Sequence, residues 1–292
     1  MSPVRDAIQN QVRHLMGAPP SNGASPLDTG DAGLFGPDSA CWKVHGDFTS
    51  MMIGGVTALL LQMLHPGPLA GVWDHSNFRQ DMQGRLRRTA QFIALTTYGS
   101  TEQAHGVIDR VKMIHGQVTG TLPDGTPYAA DNPDLLTFVH VAEVSSFLAA
   151  YLRYLDPNFP GPDQDRYYAE TARVAEMLGA TQVPKSRREV ADYLRAIRPQ
   201  LRYDARTREV AQALLTQPIP NPAIAPFAEL MFKAARHLLP DWAARMHGFA
   251  TLLSQRPGIW IGVRGMGTVL RWAFDNSAET RARRRVAGLQ PS

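Results

Sequence analysis

The chain has 292 residues, of which 44% are hydrophobic and 19% are charged, and its formal net charge is +4. The charged fraction is below the roughly 25% usual for soluble domains, and so apolar a chain is neither disordered nor a coiled coil. One cysteine, Cys41, excludes an internal disulfide framework and any cysteine-rich zinc or iron–sulfur site. Eleven Met and five Trp indicate that apolar surface serves a cofactor or an apolar substrate.

Helical periodicity dominates the chain after its first forty residues. Residues 1–40 are predicted to form a short amphipathic helix (5–16) and a Gly/Pro-rich arm (17–40). Residues 41–280 are predicted to form one all-α domain, a helical bundle, and residues 281–292 a basic C-terminal tail. Helices are predicted over 46–64, 81–97, 101–118, 133–155, 163–178, 186–198, 206–216, 223–238, 241–254 and 259–274.

Two local motifs interrupt or begin these helices. Ser100-Thr101-Glu102-Gln103 has the pattern of a capping box and predicts the start of the 101–118 helix. Pro123-Asp124-Gly125 predicts the turn of a short hairpin within 118–128.

The sequence gives little support for nucleic-acid binding or for a membrane span. Arg281, Arg283, Arg284 and Arg285 crowd together, which favours a solvated tail, and no basic run interleaved with aromatic residues predicts nucleic-acid binding. The first residues lack the apolar core of a signal peptide, and the uncharged run over 48–64 is short for a membrane span. We therefore expect a buried helix there, no membrane span and a cytoplasmic protein; no particular oligomeric state is predicted.

Several familiar catalytic motifs are missing. The sequence has no phosphate-binding glycine loop, no Gly-x-Ser-x-Gly elbow and no His-Glu-x-x-His zinc motif. A single Glu-x-x-His occurs, from Glu102 to His105, whereas a di-iron bundle needs two.

One histidine lies on an apolar helical face. In the 101–118 helix, His115 shares a stripe with aliphatic residues and is predicted to point inward, either as a hydrogen-bonded core residue or as a ligand, whereas His105 points away. The aliphatic residues of this stripe are Val107, Ile108, Val111, Ile114 and Val118.

The preceding helix carries a cationic face. Arg85, Arg88, Thr89 and Phe92 are spaced i, i+3, i+4 and i+7, so they share one side. A solvated helix start, pairing with acidic side chains and contact with an anionic ligand all fit this pattern, because an arginine buried without a partner is costly. An inward His115, this face, and Gly54-Gly55 for the close approach of a flat ring are together compatible with haem b, though not specific for it.

The sequence also resembles the haem-dependent oxygenases that include latex-clearing protein (rubber oxygenase) and the fungal MpaB oxygenase. The similarity runs from about Trp42 to about Pro240. It depends on the order and spacing of Gly54-Gly55, Leu64-His65-Pro66, Asp74-His75-Ser76-Asn77-Phe78, Arg85-Leu86-Arg87-Arg88-Thr89, Thr97-Tyr98-Gly99, His115 to Gly120, and Leu135 to His140.

This resemblance implies an all-α fold that encloses one haem b, with His115 as the axial ligand of the iron. It also implies that Arg85, Arg88 and Thr89 are catalytic residues of the distal side. Contacts with the haem are implied for Arg85, Gly54 and Gly55. The implied partners of the protein are dioxygen and a hydrophobic, unsaturated, isoprenoid-like substrate. Oxidative C=C cleavage is one reaction of the family.

Two departures separate the chain from rubber oxygenase. Arg88 stands where that family has a lysine, and because arginine keeps its proton it does not bind iron. The family's acidic residue has no counterpart in Pro68-Leu69-Ala70-Gly71.

Two alternatives therefore stay open. One is a non-haem metal oxidoreductase or hydrolase that uses His65, His75 or His115 with carboxylates such as Asp74. The other is a non-catalytic helical carrier of a hydrophobic ligand.

Overall fold

The computed structural model describes residues 29–219, 225–249, 256–273 and 278–288; within these ranges helices predominate, and one two-stranded hairpin is the only sheet. The prediction of an all-α protein is thus confirmed. The helices are α1 Ala40–His45, α2 Phe48–Gln62, α3 Pro66–His75, α4 Met82–Tyr98, α5 Thr101–His115, α6 Pro133–Tyr154, α7 Gly161–Leu178, α8 Arg187–Ala196, α9 Ala205–Leu215, α10 Ala225–Leu238, α11 Asp241–Met246, α12 Arg256–Ala273 and α13 Ala278–Val286.

A short antiparallel hairpin lies between α5 and α6. Strand β1 (Thr119–Thr121) pairs with β2 (Pro127–Ala129), with Thr119 opposite Ala129. Gly125 adopts a left-handed φ of 87° between the strands, a conformation that glycine adopts without strain. The predicted turn at Pro123-Asp124-Gly125 is confirmed.

The core is organised around α6, which packs most extensively against α2. Both helices are rich in apolar residues, and the large buried core around them includes Ile53, Leu60 and Phe138. The crossing is close at Gly54: a Cβ there would lie 2.8 Å from Phe147 Cδ1 and 3.0 Å from the Ser146 carbonyl oxygen. The absence of a side chain at Gly54 therefore lets the two backbones approach.

Helices α4 and α5 contact each other and are joined by a tight connection. Ser100 accepts a hydrogen bond from the Gln103 backbone N–H, and the Gln103 side chain accepts one from the Ser100 N–H. This reciprocal pair satisfies two donors at the start of α5 and confirms the predicted capping box.

Three helices, α1, α3 and α13, were not predicted from the sequence. Helix α3 begins where Leu64-His65-Pro66 predicts a break, because Pro66 suits the first turn of a helix and His65 Nδ1 accepts from the Gly67 N–H at 3.1 Å. Helix α1 falls at the border of the predicted arm. Helix α11 ends at Met246 rather than at 254, and the helix predicted over 5–16 lies outside the described residues.

The C-terminal helix α13 packs against the start of the described chain. Arg285 donates from Nε to the Asp31 carbonyl oxygen, from Nη1 to that of Tyr98 and from Nη2 to that of Gly99, over 2.8–3.1 Å. Arg285 therefore holds α13 on the connection between α4 and α5 rather than lying in a solvated tail. The domain boundaries at 40 and 280 stay predictions.

Among the described residues, α6 is the single helix long and apolar enough to cross a membrane. Two-thirds (67%) of its apolar window is buried within the protein. Helices α2 and α3 together also pass the length and composition test as a bent pair, but they meet at an angle of 102°. Burial against α2 and α7 accounts for the apolar character of α6.

Substitution of Gly54 by alanine tests the crossing of α2 and α6. The new methyl group would overlap Phe147, so we expect the free energy of unfolding to fall by about 1–3 kcal/mol in urea titrations. Gly55→Ala is the matched control, because a Cβ at Gly55 meets only Phe147 Cε1 at 3.7 Å. Equal stability of the two variants would show that the crossing of α2 and α6 does not depend on a glycine at position 54.

Candidate active site

Two of the predicted site residues lie on α4 and α5, at the ends remote from the connection between these helices. Arg85 lies in the first turn of α4, and His115 is the last residue of α5. At a rise of 1.5 Å per residue, each lies roughly 20 Å of helix away from that connection. The fold thereby presents a cation and an imidazole on two successive helices that contact each other.

His115 is partly buried, and its ring hydrogen-bonds to none of the described residues. Burial lowers the pKa of His115, and the nearby Asp131 carboxylate acts in the opposite direction. The imidazole is therefore neutral at neutral pH and has a free ring nitrogen, as a metal ligand requires.

The apolar stripe on α5 is only partly inward. Ile108 is buried, with 1% of its surface exposed, whereas Ile114 is 48% exposed and Met113 is 63% exposed. The prediction that Ile114 points inward is wrong, because no described element covers the last turn of α5 on that side. His115 is flanked by apolar side chains that face outward.

Arg85 is a partly buried cation that has no counter-ion among the described residues. Its guanidinium makes no hydrogen bond or ion pair with the described residues. Burial, together with the neighbouring charge of Arg88, lowers the pKa of Arg85 to about 10, so it stays protonated at neutral pH. A partly desolvated, unpaired guanidinium is a binding group for an anion.

Arg88 and Thr89 lie further along the same side of α4 and are exposed. Arg88 Nη1 lies 3.4 Å from Asp81 Oδ2, and Thr89 Oγ1 donates to the Arg85 carbonyl oxygen at 3.2 Å. The predicted shared face of Arg85, Arg88 and Thr89 is thus present, with its outer part open to solvent.

The paired glycines lie elsewhere in the packing. Gly54 is in contact with Phe147 and Ser146 of α6, and Gly55 faces the same phenylalanine ring. Helix packing accounts for Gly54 without a cofactor, and a cofactor contact at Gly54 and Gly55 stays a prediction.

The residues of the non-haem alternative do not meet. His65 caps the start of the ten-residue helix α3 and His75 ends it, which separates them by roughly 15 Å along the axis. His75 Nε2 donates to the Thr119 carbonyl oxygen at 3.1 Å, and Asp74 accepts from the Tyr128 hydroxyl at 2.7 Å. Across the described ranges, no group of three or more His, Cys, Asp or Glu side chains could hold a metal ion.

The structure adds a polar cavity that the sequence patterns did not single out. We call it the Glu143 cavity; it measures about 40 Å³ and lies where α1, α4, α6 and α7 meet. One signal was present: Glu143 is the only carboxylate within the apolar middle of α6. Its lining consists of Phe35, Cys41, His45, Phe92, Ile93, Thr96, Thr97, His140, Glu143, Val144, Phe147, Thr171 and Val174.

Burial controls the protonation of the groups around this cavity. Desolvation raises the pKa of Glu143 to about 7 and lowers that of His140 to about 4. His45 bonds to the Thr97 and Tyr167 hydroxyls at 2.9 Å each, and burial lowers its pKa to about 3. Burial also raises the pKa of Cys41 and of Tyr167 well above their usual values. The residues of α4 that line the cavity are not titratable. Between pH 5 and 8, Glu143 is therefore the group here that titrates.

These features define an all-α protein with a histidine and an unpaired arginine presented on adjacent helices. The chain matches the model of the family described as the catalytic domain of ER-bound oxygenase mpaB/B′ and rubber oxygenase over residues 42–272. The protein belongs to this family, as the sequence resemblance predicted, and is accordingly an oxidoreductase of the oxygenase type. No curated protein and no solved structure matches the chain significantly.

Glu143→Gln tests the burial of this carboxyl. Because its pKa is higher in the folded protein than the usual 4.5, the wild type loses stability as the pH rises from about 4.5 through 7. Glutamine does not titrate, so we expect the variant to gain up to about 3 kcal/mol relative to wild type between pH 5 and pH 8. Urea unfolding at each pH measures this.

The exposed Glu176, which is paired with Lys185 at 2.7 Å, offers a control as Glu176→Gln. Parallel stability profiles of wild type and Glu143→Gln would show that Glu143 titrates like a surface carboxylate.

Proposed function

We propose that the protein is a haem b-dependent oxygenase that acts on a hydrophobic, unsaturated, isoprenoid-like substrate. The observations that carry this proposal are a partly buried, neutral imidazole at His115 and a partly buried guanidinium at Arg85 that pairs with none of the described residues. Within an oxygenase family, that pair supplies the two groups that haem b needs from a protein: an iron ligand and a cation for its carboxylates.

His115 and Arg85 fit the two ends of such a cofactor. The lowered pKa of His115 keeps the imidazole neutral, which is the form that binds iron. Asp131 is close enough to act on the pKa of His115, so it is a candidate acceptor for the other ring N–H, a partnership that orients histidine ligands in metal sites. Arg85 would pair with a propionate and thereby gain the counter-ion that the protein does not provide.

The remaining residues of α4 would shape the approach to the site. When bound, haem supplies the iron at which oxygen chemistry takes place, while the protein orients the substrate and restricts water. Arg88 keeps its proton and offers hydrogen bonds to an oxygen atom, and Thr89 lies one turn beyond Arg85 on the same side. Oxidative C=C cleavage, as in the rubber oxygenases, is the reaction that we propose first.

The apolar character of the substrate is supported by the end of α5. Met113 and Ile114, next to His115, expose large apolar side chains that a hydrophobic ligand would cover. No acidic side chain stands at Pro68-Leu69-Ala70-Gly71, where Leu69 and Ala70 are buried in the core.

A second candidate function is non-catalytic binding of a hydrophobic molecule, and one pocket favours it. A pocket of about 380 Å³ lies between α9, α10 and the α11 end, within the size range of small-molecule sites. Leu215, Phe232 and Phe249 contribute apolar surface to it. A protein that binds an apolar dye here, and contains no porphyrin after expression with sufficient haem, would be a carrier.

Absorption spectroscopy tests the haem. We expect protein produced with sufficient haem to show a Soret band, and His115→Ala to lose it, because the iron loses its protein ligand. His105→Ala, an exposed histidine on the same helix, should retain the wild-type spectrum. A Soret band of unchanged ligation in His115→Ala would assign the ligand to another residue.

Arg85→Gln tests the anion contact. Loss of a charge-assisted hydrogen bond costs about 1.5–3 kcal/mol, so haem should dissociate roughly 10- to 100-fold faster into an excess of an acceptor apoprotein. Arg87→Gln, an exposed neighbour, provides the control. Identical dissociation rates for both variants would remove Arg85 from the cofactor site.

A further inference from the structure

One residue of the Glu143 cavity carries a buried nitrogen that has no partner in the described part of the chain. His140 lines the cavity and is 9% exposed, and its buried Nε2 atom hydrogen-bonds to none of the described residues. A buried polar atom that stays unpaired costs about 1–3 kcal/mol, so such atoms in folded proteins normally bond to a water or a ligand.

Glu143, Thr96 and Thr171 also bring oxygen atoms to the cavity, as does Thr97, whose hydroxyl already bonds to His45. Glu143 lies one turn after His140 on α6, at the spacing that makes side chains neighbours, and its carboxyl bonds to none of the described residues. Thr96 donates its hydroxyl proton to the Phe92 carbonyl oxygen at 3.0 Å, and Thr171 donates to that of Tyr167 at 2.8 Å. Both hydroxyl oxygens therefore keep lone pairs that can accept a hydrogen bond.

Size and charge restrict what the cavity can hold. At about 40 Å³ it has room for roughly three waters, or for a small group at the end of a larger molecule. Its lining includes no lysine or arginine, so an anion would find no counter-charge there. His45 and His140 are neutral, and Glu143 keeps its proton up to about pH 7, so a cation would gain little either.

We propose that the Glu143 cavity binds an uncharged oxygen function, held by hydrogen bonds to the Glu143 carboxyl and to His140 Nε2. The oxygen belongs either to water or to a hydroxyl or carbonyl group of the substrate. Binding of a substrate oxygen rests on the proposed oxygenase function, whereas binding of water does not.

The position of the cavity is consistent with binding of a substrate oxygen. Thr89 and Thr96 are two turns apart on the same side of α4, about 10 Å along the helix axis. An elongated apolar molecule lying along α4 from Arg85 and Thr89 could therefore reach the cavity with a polar end. Glu143 and His140 would then select a substrate that carries one oxygen at that end.

Difference infrared spectroscopy of the purified protein, with or without haem, tests the proposal. Subtraction of Glu143→Gln from wild type should isolate the C=O stretch of one protonated, hydrogen-bonded carboxylic acid, and His140→Leu should shift this band as the bridge is lost. Glu176→Gln, which removes a surface carboxylate, should leave the band unchanged. Absence of the band, or its indifference to His140→Leu, would overturn the proposal.

A matched set of probes separates the two sources of oxygen. A band shift with octan-1-ol but not with octane assigns the cavity to a substrate oxygen. The cavity is assigned to water if neither compound shifts the band and a high-resolution crystal structure shows ordered waters bonded to His140 Nε2. A shift with octanoate or octylammonium that exceeds the shift with octan-1-ol would contradict an uncharged guest. These readouts do not depend on a Soret band, so failure of the haem proposal and failure of this one are separately visible.

Discussion

The close crossing of α2 and α6 is the packing constraint on which the rest of the molecule depends. Gly54 lets the two helices approach to the point where any side chain would meet Phe147 and the Ser146 carbonyl oxygen. This contact fixes α6 in the centre of the protein, and α6 then carries His140 and Glu143 to the place where α1, α4 and α7 converge. A strongly apolar helix thus positions the most unusual polar groups of the structure.

Those polar groups are costly to bury, and their cost indicates function. Among the described residues Arg85 has no counter-ion and the buried His140 Nε2 has no hydrogen-bond partner, and Glu143 keeps its proton to about neutral pH. A protein selected for stability alone would pair or replace such groups, because each destabilises the folded state. In the functions proposed above, Arg85 and His115 would contact haem b, and Glu143 and His140 would bind a small oxygen function.

The sequence predicted the parts of the fold that depend on local pattern. The long helices, the capping box at Ser100 and the turn at Pro123-Asp124-Gly125 follow from side-chain periodicity and backbone preferences that act within a few residues. Helix α3 was missed because Pro66 reads equally well as the end of one helix or the first turn of the next. The last turn of α5 was misjudged at Ile114, because periodicity marks an apolar face but does not say whether another element covers it.

The candidate site likewise has features that the sequence determined and features that only the tertiary structure determined. The sequence by itself determined that His115, Arg85 and Thr89 carry the family resemblance, and that Arg88 replaces a lysine, because these are matters of residue type and spacing. Only the tertiary structure decided that Arg85 has no counter-ion within the described ranges, that His65 and His75 lie at opposite ends of α3, and that Glu143 and His140 line one cavity. Burial, pairing and pKa depend on which distant helices pack together, and that information is not present in any local stretch of the chain.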